Sequence, residues 1–211
     1  MKNKKGLFVC FEGIDGSGKT TQAKLLKKAL ESSGIKCVMF GYPDYDSPYG
    51  KMIDRYLNKK IEMSPSDLLL VFIADMVKDA RSIRSSIKAG KVVITDRYFY
   101  STIAYQSAAG FSYRKAKELE DSVSLPLPSC LFYLDMPVNL ARERKIKQKW
   151  KADRNESDTD YMKQVKKYYE RLLAERYTGV KFIRIDGTSS AKKNHESIIR
   201  YLKSSHAYLF S

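Results

Sequence analysis

The residues best suited to chemistry form one glycine-rich stretch at positions 13–20, which reads G-I-D-G-S-G-K-T. Glycines let a backbone approach a phosphate chain closely and turn its N–H groups toward it. Lys19 brings a full positive charge to the β- and γ-phosphates, and the hydroxyl of Thr20 is suited to hold Mg²⁺. An apolar run precedes the stretch and a helical pattern follows it, so the stretch predicts a site for nucleotide phosphates. A glycine turn beside a chance Gly-Lys-Thr is the alternative.

A second pair of reactive side chains, Asp96 and Arg97, directly follows the apolar run at 92–95. In an open α/β sheet, ligands bind at the carboxyl ends of the strands. Asp96 can contact Mg²⁺ directly or through water, and Arg97 can hold a phosphate with two parallel hydrogen bonds. A surface salt bridge at a strand end is the alternative interpretation.

The segments that must position these side chains alternate between strands and helices. Buried strands are predicted at residues 7–12, 35–41, 92–95, 130–135 and 180–185. Helices are predicted at about 18–33, 49–57, 65–89, 98–121 with a break around Gly110, from Pro137 onward, and at 189–203. This alternation predicts an α/β fold with three layers, in which helices cover both faces of a five-stranded parallel sheet. Because the sequence contains no repeat and no linker, we expect one domain over residues 1–211.

The composition predicts a globular protein of the cytoplasm. The hydrophobic fraction of 43% and the charged fraction of 30% are typical of this class. No apolar run approaches the roughly 20 residues that cross a bilayer, so no membrane partner is expected. The basic start precedes an apolar run too short for a signal peptide. Cys10, Cys37 and Cys130 lie in or beside apolar runs, which favours reduced structural thiols.

The net charge of +15 raises the question of a nucleic-acid partner. The basic residues are spread along the chain, with one dense stretch at 142–154, and no recognised nucleic-acid module accompanies them. We therefore assign most of them to solvated helix faces and do not expect nucleic acid as the main partner. His195 and His206 are the only histidines, which argues against histidine-based catalysis.

Three short motifs in fixed order carry a family resemblance: F-E-G-I-D at 11–15, D-R-Y at 96–98 and A-Y-Q at 104–106. Together they resemble the thymidylate kinases, P-loop nucleoside monophosphate kinases that phosphorylate dTMP to dTDP with ATP. The likeness runs from about residue 7 to residue 187. It implies a P-loop kinase fold with a LID at about 142–157, with Mg²⁺ as cofactor. It also implies ATP and a deoxynucleoside monophosphate as ligands, and a homodimer.

The resemblance also implies roles for individual residues. ATP would be bound by Gly13, Ile14, Asp15, Gly16, Ser17, Gly18, Lys19, Thr20, Thr21 and Gly187, and Mg²⁺ by Thr20 and Asp96. The acceptor would be bound by Asp15 at its 3′-hydroxyl, Phe72 at thymine, Arg97 at its phosphate and Tyr105 beside the deoxyribose, with Gln106 and Tyr42 near them. By pattern alone, Phe72 equally fits the core of an apolar helix.

Two positions depart from the family pattern around the acceptor base. Met76 stands where family members commonly have an arginine that hydrogen-bonds thymine, and the loop at 43–47 has no arginine. Losing a contact to the base edge weakens discrimination between pyrimidines. The sequence therefore predicts kinase chemistry more firmly than it predicts thymine specificity.

The basic stretch at 142–154 occupies the position of the LID in nucleoside monophosphate kinases. Phosphoryl transfer spreads negative charge over the moving group, and an arginine can stabilise that charge. Family members with a basic residue inside the P-loop rely less on the LID, but that place here is Gly16. Lys19 and Arg97, with Arg142 and Arg144 ranked above Arg154, are therefore the catalytic candidates, and a solvated basic helix is the alternative.

Two other classes of function remain open at this stage. A deoxynucleoside kinase would need a carboxylate base for the sugar hydroxyl, and it usually shows Glu-Arg-Ser at the place of residues 96–98. Another (deoxy)nucleotide kinase would differ in its acceptor. A non-enzymatic nucleotide or nucleic-acid binder would release no ADP with any acceptor.

Overall fold

The computed structural model describes residues 6–147, 154 and 158–210. Five strands form one sheet in the order β2-β3-β1-β4-β5, and every neighbouring pair is parallel. The strands are β1 Leu7–Glu12, β2 Cys37–Gly41, β3 Val92–Asp96, β4 Cys130–Asp135 and β5 Lys181–Asp186. The predicted five-stranded parallel sheet is therefore confirmed.

Helices cover both faces of this sheet and give the predicted three layers. Within the described residues they are α1 Lys19–Ser32, α2 Pro48–Leu57, α3 Pro65–Val77, α4 Ala80–Lys88, α5 Phe99–Ala108, α6 Tyr113–Ser122, α7 Val138–Lys147, α8 Thr159–Ala174 and α9 Ala191–Ser205. One apolar core contains residues of α1 and α9, such as Leu26 and Ile198. The other contains residues of α3, α5 and α8, such as Ile73, Ile103 and Val165. The continuous apolar pattern of β1, β3 and β4 follows from this cover on both faces.

The second strand is shorter and less buried than predicted. It spans Cys37–Gly41 instead of 35–41, and its residues are half-buried or exposed. It lies at the edge of the sheet and pairs only with β3, so one side has no neighbouring strand. Ile35 is not in the strand, because its N–H donates to the carbonyl of Leu30 and completes the end of α1.

The predicted long helix at 65–89 is wrong, because it is divided into α3 and α4 at Lys78 and Asp79. The Nζ of Lys78 pairs with Asp44, Asp75 and Asp79 at 3.0, 3.2 and 2.6 Å. Through Asp44, these ion pairs connect the junction of α3 and α4 to the loop after β2. The periodic apolar pattern of residues 68–87 does not reveal such a break.

Helix starts follow the local signals in the sequence. Ser64 accepts the N–H of Asp67 at 3.1 Å, and the Asp67 carboxylate accepts the N–H of Ser64 at 3.2 Å, which forms a capping box before α3. Ser47 and Ser190 cap α2 and α9 in the same way with their hydroxyls. Each such cap contributes about 1 kcal/mol to the free energy of unfolding.

No helix in the described ranges is both long enough and apolar enough to cross a bilayer. Of the predicted LID at 142–157, residues 142–147 belong to α7, while residues 148–153 and 155–157 lie outside the described residues. The LID as a unit therefore stays a prediction.

Candidate active site

The glycine-rich loop lies between β1 and α1, at the carboxyl end of the sheet, as the strand-loop-helix pattern predicts. Gly16 has φ 81°, and a Cβ built on it would lie 2.5 Å from the carbonyl oxygen of Ala141 in α7. Only glycine adopts this conformation without strain at such a close contact. The loop is therefore shaped by its own backbone and by α7.

A cavity of about 620 Å³ opens between this loop and the segment that follows β5. Its lining comprises residues 15–22, Lys24, Leu134, Arg144, Lys145, 188–191 and Asn194. Helix α1 begins at Lys19, so its free N–H groups and the positive end of its dipole lie at the cavity wall. The cavity therefore combines backbone donors, cationic side chains and the size expected for a nucleotide.

Asp15 links the two cations on which the sequence prediction depends. Its Oδ1 lies 3.1 Å from the Nζ of Lys19 and 2.8 Å from an Nη of Arg97. Burial favours the neutral carboxyl, but the charges of Arg97 and Lys19 outweigh it and lower the pKa of Asp15 below its ordinary value. Asp15 is thus an anion held between a side chain of the P-loop and a side chain that follows β3.

Arg97 is held from several sides, and its side chain is only 12% exposed. One Nη donates to the carbonyl of Gly13 at 3.2 Å and to the hydroxyl of Ser101 at 2.9 Å. The other Nη donates to the hydroxyl of Tyr105 at 3.3 Å and faces Asp15. Its backbone has φ 67°, a strained value for a residue other than glycine. Such strain at a cationic side chain is typical of a functional position.

The two predicted Mg²⁺ ligands lie on different elements: Thr20 in the first turn of α1, and Asp96 at the end of β3, which pairs with β1. Thr20 lines the cavity and is exposed. One oxygen of Asp96, at the end of β3, is buried and has no hydrogen-bond partner among the residues that the structure describes. An orphaned carboxylate oxygen together with a hydroxyl suits a hard cation that also binds phosphate oxygens and water. Among the described residues, no cluster of three or more His, Cys, Asp or Glu forms a protein-only metal site.

Of the predicted acceptor residues, Tyr105 contacts both Asp15 and Arg97, whereas Gln106 and Phe72 pack in or against the interior. The hydroxyl of Tyr105 donates to Asp15 at 3.2 Å, and the guanidinium carbon of Arg97 lies 5.1 Å from the centre of its ring. Gln106 is buried, and within the described part of the chain its Oε1 has no hydrogen-bond partner. Phe72 is half-buried against the apolar core of its sheet face.

Tyr42 is buried like Gln106, with 6% exposure. Its hydroxyl donates to Asp79 at 3.2 Å, and its ring packs against Tyr98 at 5.9 Å between centroids. Tyr42 therefore connects the end of β2 to the junction between α3 and α4.

The arginine-free loop at 43–47 is fixed by a buried carboxylate. Asp75 is fully buried and accepts the N–H of Asp44 at 2.8 Å and the hydroxyl of Ser47 at 2.6 Å. Its neighbour Met76 is also buried, at 1% exposure. An apolar side chain thus occupies the place at which the family pattern has a hydrogen-bond donor.

The three candidate arginines have different surroundings. One Nη of Arg144 lies 3.4 Å from the carbonyl of Gly16, and the other lies 3.2 Å from the carbonyl of Gly187. Arg142 is exposed and donates to the Thr159 hydroxyl at 3.4 Å. Arg154 pairs with Glu62 at 2.6 Å, away from the P-loop. Of the three, Arg144 is therefore the side chain that reaches the glycine-rich loop.

Sequence reasoning placed Glu12 at the end of its strand near the site, but it missed the two hydroxyls behind Arg97 that bind it. The carboxylate of Glu12 is fully buried at the end of β1 and accepts the hydroxyls of Ser101 and Tyr169. The one signal that could have found this cluster is the carboxylate that ends an otherwise apolar strand, since an unpaired buried charge is costly. Nothing in the sequence indicates that Tyr169 of α8 completes it.

The comparisons with known proteins agree on one family. The family model described as thymidylate kinase matches residues 11–198. A thymidylate kinase of Leptospira interrogans is 34% identical over 201 residues, which cover 95% of this chain and 93% of that protein. A probable thymidylate kinase of Methanocaldococcus jannaschii is 38% identical over 199 residues, covering 93% and 96%. A thymidylate kinase structure from Candida albicans superposes with a TM-score of 0.80 over 97% of this chain and 94% of that one, and its 23% identity limits this likeness to the fold.

Proposed function

The chain belongs to the thymidylate kinase family, and we infer that it is a dTMP kinase, which transfers the γ-phosphoryl group of ATP to dTMP and gives dTDP and ADP. The observation that carries the inference is the ion-paired chain Lys19–Asp15–Arg97, with contacts of 3.1 and 2.8 Å. A cation for the donor phosphates and a cation for the acceptor phosphate lie on either side of one carboxylate. Phosphoryl transfer needs this proximity, because donor and acceptor must meet in line.

On the donor side, we assign the ATP phosphates to residues 13–21. Lys19 and the N–H groups at the start of α1 would neutralise the β- and γ-phosphates. The Gly187 segment borders the same cavity through Thr188 and Ser189 and would face the adenine. The cavity of about 620 Å³ supports this assignment.

On the acceptor side, we assign the dTMP phosphate to Arg97 and its 3′-hydroxyl to Asp15. The guanidinium can present two parallel N–H groups to a phosphate, and Tyr105 beside it fits the deoxyribose. Phe72, Gln106 and Tyr42 complete the proposed acceptor site. The acceptor oxygen is already anionic at neutral pH, so no general base is required.

At the reacting group, we propose that Arg144 adds the charge that Gly16 does not supply. The bond from the γ-phosphorus to the ADP oxygen breaks while the bond to the dTMP phosphate oxygen forms. Negative charge spreads over the equatorial oxygens in between, and an arginine beside the loop stabilises it more than it stabilises the ground state. Arg142 remains a second candidate on the same helix.

Magnesium is the cofactor that we propose, with Thr20 and Asp96 as the residues that would hold it. When bound to ATP, Mg²⁺ shields the phosphate charges and orients the donor. The orphaned oxygen of Asp96 supports this assignment.

We further propose a homodimer, a single domain over residues 1–211 with a LID at about 142–157, and a cytoplasmic location. The three free thiols of Cys10, Cys37 and Cys130 support that location.

A coupled assay of ADP release, with each nucleoside monophosphate and thymidine as acceptors, tests the function. We expect the highest kcat/KM with dTMP and little turnover with thymidine. Turnover with thymidine but not dTMP would instead indicate a deoxynucleoside kinase, and no ADP release with any acceptor would indicate a binding protein. Because Met76 offers no hydrogen bond to the base edge, which differs between thymine and cytosine, we expect a ratio of dTMP to dCMP below the 10⁴ or so that hydrogen-bonded recognition can provide.

Alanine variants of Lys19 and Arg97 separate the two sides of the site. Each loses a charge-assisted contact to a phosphate, which costs on the order of 3 kcal/mol, or about a hundredfold in kcat/KM. Lys19→Ala should act on ATP and Arg97→Ala on dTMP, while Lys28→Ala, an exposed lysine of the same helix, serves as control. A normal KM for dTMP and a normal kcat in Arg97→Ala would contradict the acceptor assignment.

A further inference from the structure

Glu12 is a fully buried carboxylate in a strand that is otherwise apolar. Four donors converge on its two oxygens: the N–H groups of Tyr98 and Ser101 at 2.8 and 3.2 Å, and the hydroxyls of Ser101 and Tyr169. A buried charge is costly unless it is fully hydrogen-bonded, and an apolar residue in its place would often be as stable. Stability alone therefore does not account for a carboxylate at this position.

The backbone contacts of Glu12 fix the segment that carries Arg97. Tyr98 is the N-cap residue of α5, and its own side chain forms no capping hydrogen bond. Glu12 supplies that cap from β1 by accepting the N–H groups of Tyr98 and Ser101. The capped turn begins one residue after Arg97, whose φ of 67° is strained. The carboxylate thus helps to hold Arg97 in a conformation that it would not adopt alone.

The side-chain contacts of Glu12 fix the guanidinium itself. The Ser101 hydroxyl donates to Glu12 and accepts an Nη of Arg97 at 2.9 Å. The Tyr169 hydroxyl donates to Glu12 at 2.8 Å and lies 2.7 Å from Ser101 and 3.5 Å from the same Nη. The other Nη faces Asp15 and Tyr105. One edge of the guanidinium is therefore anchored, and the other points toward the proposed acceptor side.

We propose that Glu12, Ser101 and Tyr169 form a positioning unit that orients Arg97 toward the acceptor phosphate, a role that rests on the proposed function. The unit touches no proposed substrate atom and acts only through Arg97. It keeps the guanidinium in place when a phosphate displaces Asp15 from the opposite edge. Without these contacts, the guanidinium of Arg97 would be free to move with the acceptor phosphate. A displacement of a positioning group by about 1 Å can lower the rate about a hundredfold.

Two adjacent tyrosines of α8 offer a matched test. The hydroxyl of Tyr169 belongs to the unit, whereas the ring of Tyr168 stacks on Tyr113 at 5.6 Å on another face of the helix. The variants Tyr169→Phe and Tyr168→Phe each remove the hydroxyl group and keep the aromatic ring. Ser101→Ala removes the direct acceptor of Arg97 but keeps the backbone N–H that Glu12 caps.

The experiment measures kcat, KM for dTMP, KM for ATP and equilibrium dTMP binding by calorimetry, together with urea unfolding. In Tyr169→Phe and Ser101→Ala we expect kcat/KM for dTMP to fall by about tenfold to a hundredfold, with dTMP binding weakened. The KM for ATP should stay within about twofold, because the donor contacts are unchanged. Tyr168→Phe should match the wild type in every kinetic constant.

The possible outcomes separate this inference from the proposed function. Wild-type turnover of dTMP with normal dTMP constants in both Tyr169→Phe and Ser101→Ala would overturn the inference alone. Equal losses for ATP and dTMP, together with a lower unfolding midpoint, would indicate a general structural role and would also overturn it. Wild-type protein that neither binds nor phosphorylates dTMP would overturn the proposed function, and the inference with it.

Discussion

Glu120 makes the stability of this protein depend on pH in a direction that can be derived from its contacts. The side chain lies in α6 with 3% exposure, and the hydroxyl of Tyr177 donates to its Oε2 at 2.8 Å. The same hydroxyl lies 3.0 Å from Asp121 and 3.3 Å from the carbonyl of Lys117. One phenolic proton cannot satisfy all these acceptors, so a proton on Glu120 completes the cluster. Burial first, and then the charge of Asp121, raise the pKa of Glu120 to about 7.

The magnitude follows from the difference between this pKa and the ordinary value of 4.5. Each pH unit between the two is equivalent to about 1.4 kcal/mol, so Glu120 changes the free energy of unfolding by roughly 3 kcal/mol. Since the pKa is raised in the folded state, the folded protein binds the extra proton. The stabilising contribution is complete below pH 4.5 and is lost as the pH rises through about 7.

Urea unfolding of wild type and Glu120→Gln between pH 5 and pH 8 measures this effect. Glutamine keeps the size of the side chain, accepts from Tyr177 and can donate to Asp121, but it does not titrate. From pH 5 to pH 8, we expect the free energy of unfolding of Glu120→Gln to rise by up to about 3 kcal/mol relative to that of the wild type. Titratable groups that are the same in the two proteins cancel in the comparison.

Glu118→Gln is the matched control, because Glu118 lies on the same helix at 56% side-chain exposure. Its stability difference from wild type should be nearly constant with pH. Glu175, whose pKa is lowered to about 2, changes its contribution only below its ordinary value of 4.5 and so does not interfere. A constant difference between Glu120→Gln and wild type from pH 5 to pH 8 would refute the reasoning.

Two further predictions concern the glycine-rich loop. At saturating ATP and dTMP, Arg144→Ala should lower kcat by about a hundredfold and leave the KM for dTMP nearly unchanged. Replacing the exposed Arg142 with alanine should leave kcat within about threefold of the wild-type value. Equal losses of kcat in the two variants would contradict the assignment of Arg144. Gly16→Ala should raise the KM for ATP and cost about 1–3 kcal/mol in urea unfolding, because its Cβ would meet the Ala141 carbonyl at 2.5 Å. Gly34 is the control, because it has φ 72° but a Cβ built on it would meet no atom within 4 Å among the described residues. Gly34→Ala should therefore lower the free energy of unfolding only by the backbone strain and leave the KM for ATP unchanged.

The parts of the fold that were predictable from sequence are those that depend on local pattern. Continuous apolar runs located the central strands, and Ser64 followed by Pro65 located the start of α3 to the residue. The number and direction of the strands followed from the alternation with helices. The P-loop was predictable for the same reason, because one uninterrupted segment contains the strand, the turn and the helix.

The errors arose where distant residues decide the local structure. The apolar pattern of residues 35–41 is the same for an edge strand and a central strand, and only the sheet order makes β2 an edge. The helix predicted over 65–89 is interrupted at Lys78 and Asp79, where Lys78 pairs with Asp44, more than thirty positions earlier. Ion pairs between distant side chains leave no periodic signal in a sequence, so such breaks are not predictable from it.

The same reasoning explains why single residues of the site were predictable while its electrostatic organisation was not. Lys19, Asp15 and Arg97 could each be found from a motif, but only the fold brings one carboxylate between the two cations. That arrangement keeps two positive groups close together without mutual repulsion before any nucleotide binds. In the proposed complex, bound phosphates would take over this compensation from Asp15 and release its carboxylate toward a sugar hydroxyl. In our proposal, the carboxylate of Glu12 behind Arg97 keeps its contact with Ser101, whose hydroxyl accepts from the guanidinium, and so the guanidinium keeps its direction while its partner changes.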